Sequence, residues 1–425
     1  MVYFISACTA FLLLFLMLAF PMVLQLLYIK ALLFVVLLIM VTGRIVWTGR
    51  VRLDRRIMAW TLFLLCVTTF FALRGAVFNS TGALKQIQVY GLWPIIYVFL
   101  MAGADDIRLL KGFHKTIIFS AIVISIYGLT ALLMELNFLP KAIDFTAFLS
   151  NDGDFRIGVN DNQLGISFAG INSMPFIVPY ILGALYTSKN NSSNSKVFLI
   201  LSIILSLILV FASSRRAIYL ILLLSPLLIV FFDSFNAGVK LGKSIKYLVI
   251  ISMGIVALLF LTFLVINSFF DVNFLRMVDD FFNGFYFSRS GADASTFERL
   301  EQYSSLIDGW VQHPLLGFGF GSGASYVRDP EMPWAYELFY IALFFQVGVL
   351  GFIAYLSGVI WIYWTGIRVI RQGGIHSHLM LPTLVGLSGY LIANATNPYL
   401  VRFDGLWAIF LPVLIINSWF FKQKC

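Results

Sequence analysis

Long apolar stretches with no polar alternation recur along the chain, from "LLLFLMLAF" at 12–20 to "WAIFLPVLIINSWFF" at 407–421. Lipid offers no partner to a backbone amide, so only helices and closed barrels cross a bilayer. A barrel strand would alternate apolar and polar residues with a period of two. These blocks do not alternate, which leaves helices of ~20 mostly apolar residues. Composition agrees: 60% of residues are hydrophobic and 12% charged, where a soluble domain has roughly 25% charged. The expected fold is an all-α polytopic membrane protein.

Hydropathy windows of ~19 residues place about twelve spans, at 4–24, 27–43, 57–77, 86–102, 116–137, 169–187, 197–213, 216–232, 247–268, 336–365, 379–395 and 405–421. The tenth is either one tilted helix or two pieces. The chain thus divides into nine spans over 1–268, with a loop near 138–168, then a large loop over 269–335. Three spans and a short tail over 336–425 complete it. The start has neither a basic leader nor a small-residue cleavage site, so the first span is expected to be retained. Cys8 and Cys66 lie in apolar blocks and Cys425 ends the chain; that spacing suggests neither a metal site nor a disulfide framework. Asp279 and Asp280 are adjacent, but no ligand spacing recurs around them. No metal, cofactor or nucleic-acid partner is expected.

Basic residues set the orientation. With the N-terminus on the cytoplasmic side, the loops there hold 17 of the 29 Lys and Arg residues, including the run Arg44 to Arg56. The opposite side holds 12 basic residues but 16 of the 20 acidic ones. Short basic loops stay inside, so both termini are expected to be cytoplasmic. The two long segments then lie outside, and loops beyond about 12–15 residues are usually functional or disordered. The second is rich in aromatics, which suggests a folded cap on the membrane surface, with pieces such as "FFNGFYF" resting in the interface.

A charge near the bilayer centre costs about 2.5–3.5 kcal/mol, so Arg215 and Arg216, between two apolar blocks in "FASSRRAIYL", need a purpose or an exit. In this topology they sit at an outer turn, with Arg156, Arg289, Arg299, Arg328 and Arg402 on the same side. Arg offers a planar fork of donors that fits phosphate oxygens; the bland alternative is snorkelling to lipid headgroups. The second loop ends in "HPLLGFGFGSG" (His313 to Gly323). Its glycines permit close backbone approach to a ligand or simply form a surface turn. Glu337 opens the tenth span, where a carboxylate either complements the helix dipole or serves as a general base. Asp404 stands at another outer helix end.

These segments resemble the polytopic O-antigen ligases and the O-antigen or exopolysaccharide polymerases. The family pattern is a Ser-Arg turn opening a helix, then a large periplasmic loop with an Arg, a Trp and a "HPLLGxGxG" stretch. A His-Asn pair closes it, followed eleven and fourteen residues later by glycines. Ser214-Arg215, Arg299, Trp310, "HPLLGFGFG", Gly348 and Gly351 match it; Glu337 and Leu338 stand where the ligases have His and Asn. That departure, with "ATNPYLVRFDGLW" at 395–407, favours the polymerase branch. The resemblance is best over about 197–410; the first 190 or so residues match only as generic spans.

The resemblance implies a GT-C-like fold in a bacterial inner membrane. It also implies transfer of glycan from an undecaprenyl-diphosphate-linked oligosaccharide to a sugar hydroxyl of another lipid-linked repeat unit, at the periplasmic face. Arg215, Arg216 and Arg299 would hold the diphosphate, with Arg289 and Arg402 as further candidates. Glu337 would be the base and Asp404 its reserve. Trp310 and Tyr336 would stack on sugars, unless they are interfacial anchors. His313 has either a substrate contact or a turn-forming role. Membrane lipid and a chain-length regulator protein are the expected partners. Two other readings are a ligase transferring glycan to lipid A core and a carrier of lipid-linked glycans; the chain lacks the internal repeat that carriers commonly show.

Overall fold

The computed structural model describes residues 2–21, 23–103, 106–135, 137–140, 156–160, 163–188, 193–213, 215–236, 241–270 and 294–423. They form helices α1 (Val2–Ala19), α2 (Leu24–Thr48), α3 (Arg55–Val77), α4 (Ala83–Met101) and α5 (Ile107–Glu135). A hairpin of β1 (Arg156–Asn160) and β2 (Gln163–Ser167) follows, paired antiparallel with Arg156 opposite Ser167. Then come α6 (Met174–Thr187), α7 (Ser193–Ser213), α8 (Arg216–Asp233) and α9 (Leu241–Phe270). The last four are α10 (Ala294–Gln312), α11 (Phe339–Gln372), α12 (Gly374–Ala393) and α13 (Phe403–Gln423).

Among the described residues, ten helices are long and apolar enough to cross a membrane, and α1 adds a shorter apolar stretch, Phe4–Ala19. The protein is therefore an all-α multi-pass membrane protein. Eleven of the twelve expected segments overlap one of these helices, and the ninth, 247–268, overlaps α9. Two features depart from hydropathy. The loop near 138–168 carries a β-hairpin, and the large loop carries the amphipathic helix α10. "FFNGFYF" lies outside the described residues.

Buried α12 is the centre of the bundle, packed by α6, α8, α11 and α13. Small residues make this possible. Gly183 of α6 meets Pro382 of α12, and Gly389 of α12 meets the Pro175 carbonyl; a Cβ on either glycine would come within 2.9 Å and 2.5 Å of those atoms. Pro94 in α4 cannot donate to the Tyr90 carbonyl. Thr68 Oγ1 of α3 donates to it instead at 3.2 Å, restoring the partner that lipid would not provide.

The tenth expected span is indeed interrupted. Helix α11 breaks at Gly348, whose φ of +61° and ψ of −171° suit glycine. A break leaves carbonyls and amides without intrahelical partners. The segment 313–320 supplies them: Phe318 and Gly319 amides donate to the Phe345 and Gln346 carbonyls at 3.0 and 2.7 Å. In return, Val349 and Leu350 amides donate to the Pro314 and Leu315 carbonyls at 2.9 and 3.1 Å. On the other side, the Phe320 amide reaches the Phe71 carbonyl of α3 at 2.8 Å. Here lies the use of the glycine run. Gly319, at φ +93°, would place a Cβ 2.0 Å from the Gly75 nitrogen, and Gly317 one 2.5 Å from the Gln346 carbonyl. The glycines permit close approach to α3 and α11.

Candidate functional site

Two charged groups form at the end of the bundle that carries the long loops. The first gathers on the turn between α12 and α13. Arg215 is the N-cap of α8, in extended conformation. Its guanidinium donates to Asn172 Oδ1 at 2.7 Å and Ser167 Oγ at 2.8 Å, so β2 and the 3₁₀ turn Ala169–Ser173 aim it. It also hydrogen-bonds Tyr399 in the second 3₁₀ turn, Tyr399–Val401. Burial pushes the Tyr399 hydroxyl above its ordinary pKa, while Arg215 and Arg402 pull it back. Arg402 and Tyr399 line a small cavity of about 20 Å³ with Pro21, Asn172, Ser173, Tyr390, Asp404 and Gly405.

Asp404 is neutralised by Lys30 of α2. The ammonium lies 2.5 Å from Asp404 Oδ2 and 2.7 Å from the Phe20 carbonyl, with the two charged side chains 6% and 12% exposed. Among the described residues, no carboxylate pairs with Arg215 or Arg402. Among the described residues, the cavity therefore presents cationic groups that no carboxylate compensates, an arrangement suited to an anion.

The second group centres on Glu337, just before α11. Arg299 Nε of α10 donates to Oε2 and an Arg328 nitrogen to Oε1, each at 2.8 Å. The Glu337 amide donates to Gln302 Oε1 at 2.9 Å. Glu337 is 16% exposed, while Arg299 and Arg328 are 30% and 43% exposed. Both arginines therefore keep donors toward the outside. Apolar packing links the two groups: Phe339 and Leu343, two and six residues after Glu337, form a cluster against which Leu400 and Val401 of the Arg402 turn pack.

The remaining sequence candidates have structural work. Tyr336 is buried, accepting from the Ala324 amide at 2.6 Å and donating to the Tyr326 carbonyl at 3.2 Å. Its burial raises the hydroxyl pKa, and its ring is not open to stack on a sugar. Trp310 Nε1 donates to the Pro314 carbonyl at 3.1 Å, closing the turn into the glycine run. His313 packs between Phe78 and Phe318, and its carbonyl accepts from the Gly317 amide at 2.8 Å; this is the turn-forming role. Arg216 begins α8 and is partly exposed. Arg289 and Ser214 lie outside the described residues. Lys30, Asn172, Ser167 and Tyr399 were not expected at the site.

No protein-family model matches the chain, and no curated protein matches it. The site's chemistry is therefore argued from its own residues. It offers a group of two arginines suited to an anion, a carboxylate held between two more, and an acid paired with Lys30 beside the first group.

Proposed function

We propose that the protein is a glycan polymerase using an undecaprenyl-diphosphate-linked donor at the periplasmic face of a bacterial inner membrane. The observation that supports this is the pair Arg215 and Arg402 around Tyr399 at the end of a membrane bundle, cationic and without a carboxylate partner among the described residues. A diphosphate on a lipid anchor at that depth would accept from Arg402 and from the donors that Arg215 does not spend on Asn172, Ser167 and Tyr399.

The step is a displacement at the donor sugar's anomeric carbon. Its bond to the diphosphate oxygen breaks, and the electron pair leaves with the diphosphate. The acceptor hydroxyl oxygen forms the new bond, and its proton goes to a base. Arg215 and Arg402 stabilise the charge growing on the leaving group, the kind of contribution that commonly dominates catalysis. Glu337 is the base; a carboxylate has about four lone-pair positions, so two ionic hydrogen bonds leave capacity for a proton. Arg299 and Arg328 fix its orientation. Asp404, which lines the Arg402 cavity and pairs with Lys30, is the reserve candidate for that role.

The test is incubation of purified protein with a lipid-linked repeat unit. A ladder of products supports the polymerase. Transfer only to a lipid A core acceptor assigns a ligase, and transfer to neither removes the transferase reading. In an active preparation, Arg215→Ala and Arg402→Ala each lower turnover about 10²–10³-fold, the usual loss for an electrostatic donor at a developing charge.

A further inference from the structure

A mostly apolar cleft lies away from these charges. It has a volume of about 130 Å³ and lies between α1, α2, α4, α5 and α13. On α1 the lining residues include Ala10, Leu14 and Met17, and on α13 Trp407, Phe410 and Leu414, each set following the one-face spacing of a helix. Ser6, Ala7, Ala10 and Gly103 are small where larger side chains would close the gap. From Ser6 to Met17 the cleft follows α1 for ~16 Å at 1.5 Å per residue, about half the ~30 Å hydrocarbon core. Apolar cavities stay dry and take apolar ligands, so a hydrocarbon chain is the fitting occupant.

One end of the cleft points to which chain. Its upper lining includes Tyr97 and Trp407. Tyr97 donates to the Phe403 carbonyl at 2.9 Å, next to Asp404. Trp407 lies two residues after Gly405 and against Tyr390, both of which line the Arg402 cavity. An anionic head at Arg215 and Arg402 would thus have its tail beside the cleft mouth. We infer that the cleft is the slot for the polyprenyl chain of the diphosphate substrate. The inference rests on the transferase reading for its choice of lipid.

The test is photocrosslinking of the full-length protein in nanodiscs, read by mass spectrometry without turnover. The probe is undecaprenyl diphosphate carrying a diazirine at its ω-end. Labelling of α1 or α5 near Ser6, Ala7 and Leu109, competed by unlabelled undecaprenyl diphosphate but not by phosphatidylglycerol, is the expected result. Equal competition by phosphatidylglycerol, or labelling confined to the outer helix surfaces, would overturn it. Ala10→Trp, which fills the cleft, should reduce labelling at least tenfold; Leu12→Trp, on the exposed face of α1, should leave it unchanged. Labelling undiminished by Ala10→Trp also overturns the proposal. Specific labelling without any product ladder would uphold the slot while sinking the polymerase.

Discussion

Replacing Lys30 by Met removes the cation from a pair that holds two distant parts of the chain together. Lys30 is six residues into α2, so its Cα lies ~9 Å along the helix from Leu24. Its aliphatic stem carries the ammonium to Asp404 at the start of α13, as long basic side chains do near helix ends. Both charges are nearly sealed from solvent, at 6% and 12% exposure. Removing one partner of a buried pair costs about 3–5 kcal/mol, because the other charge remains uncompensated. The hydrogen bond to the Phe20 carbonyl adds about 1 kcal/mol. Asp404→Asn alone should cost a similar amount by stranding the ammonium. With both substitutions no charge is stranded, so the double variant should be less impaired than the sum, with a coupling on the order of 3 kcal/mol. Reversible unfolding in bicelles, followed by steric trapping, gives all three free energies. Additivity within about 0.5 kcal/mol, or a Lys30→Met cost below about 1 kcal/mol, would refute the claim that this pair is buried and mutually dependent.

Three other experiments test the rest. Gly319→Ala requires a Cβ 2.0 Å from the Gly75 nitrogen at φ +93°; backbone strain of this kind costs at least about 1–3 kcal/mol, and the yield of folded, detergent-stable protein should fall sharply, while Gly242→Ala, in open space, leaves it unchanged. Glu337→Gln should abolish chain extension with lipid-linked repeat units accumulating, and wild-type turnover would reassign the base. Reporters fused near residue 300 should be periplasmic, and those near 50 and 372 cytoplasmic; the reverse result undoes the assignment of sides.

The bundle was legible because hydropathy is local: a helix that must satisfy its own backbone in lipid announces itself in ~20 consecutive residues. The site was legible only in pieces. Arg215, Arg299, Glu337 and Arg402 stand out as charges beside apolar blocks, but nothing in the chain order says that Arg402 joins Arg215 while Arg299 joins Glu337. Those pairings depend on the 3₁₀ turn at Tyr399 and on α10 lying over α11, which are tertiary facts. Lys30 carried a usable signal that hydropathy averaging hides. A lone lysine inside an apolar run is costly unless paired, so its partner should be sought among outer acids. Asp404, at the mouth of another span, was the acid to try.

The glycine run shows the limit from the other side. Glycines at 317, 319 and 321 with positive φ mark a backbone that must come close to something, and sequence cannot say to what. The hydrogen-bond accounting decides it. Helix α11 breaks at Gly348 and exposes carbonyls at Phe345 and Gln346 that lipid cannot satisfy; the 318–319 amides are their partners. The run is thus bound to the break, and through Phe71 to α3. That same anchoring fixes where α11 begins, and hence where Glu337 meets Arg299 and Arg328. A substitution at Gly319 or Gly348 would therefore impair the charged group without touching any residue in it, so a loss of activity there would be evidence about the scaffold and none about contact with substrate.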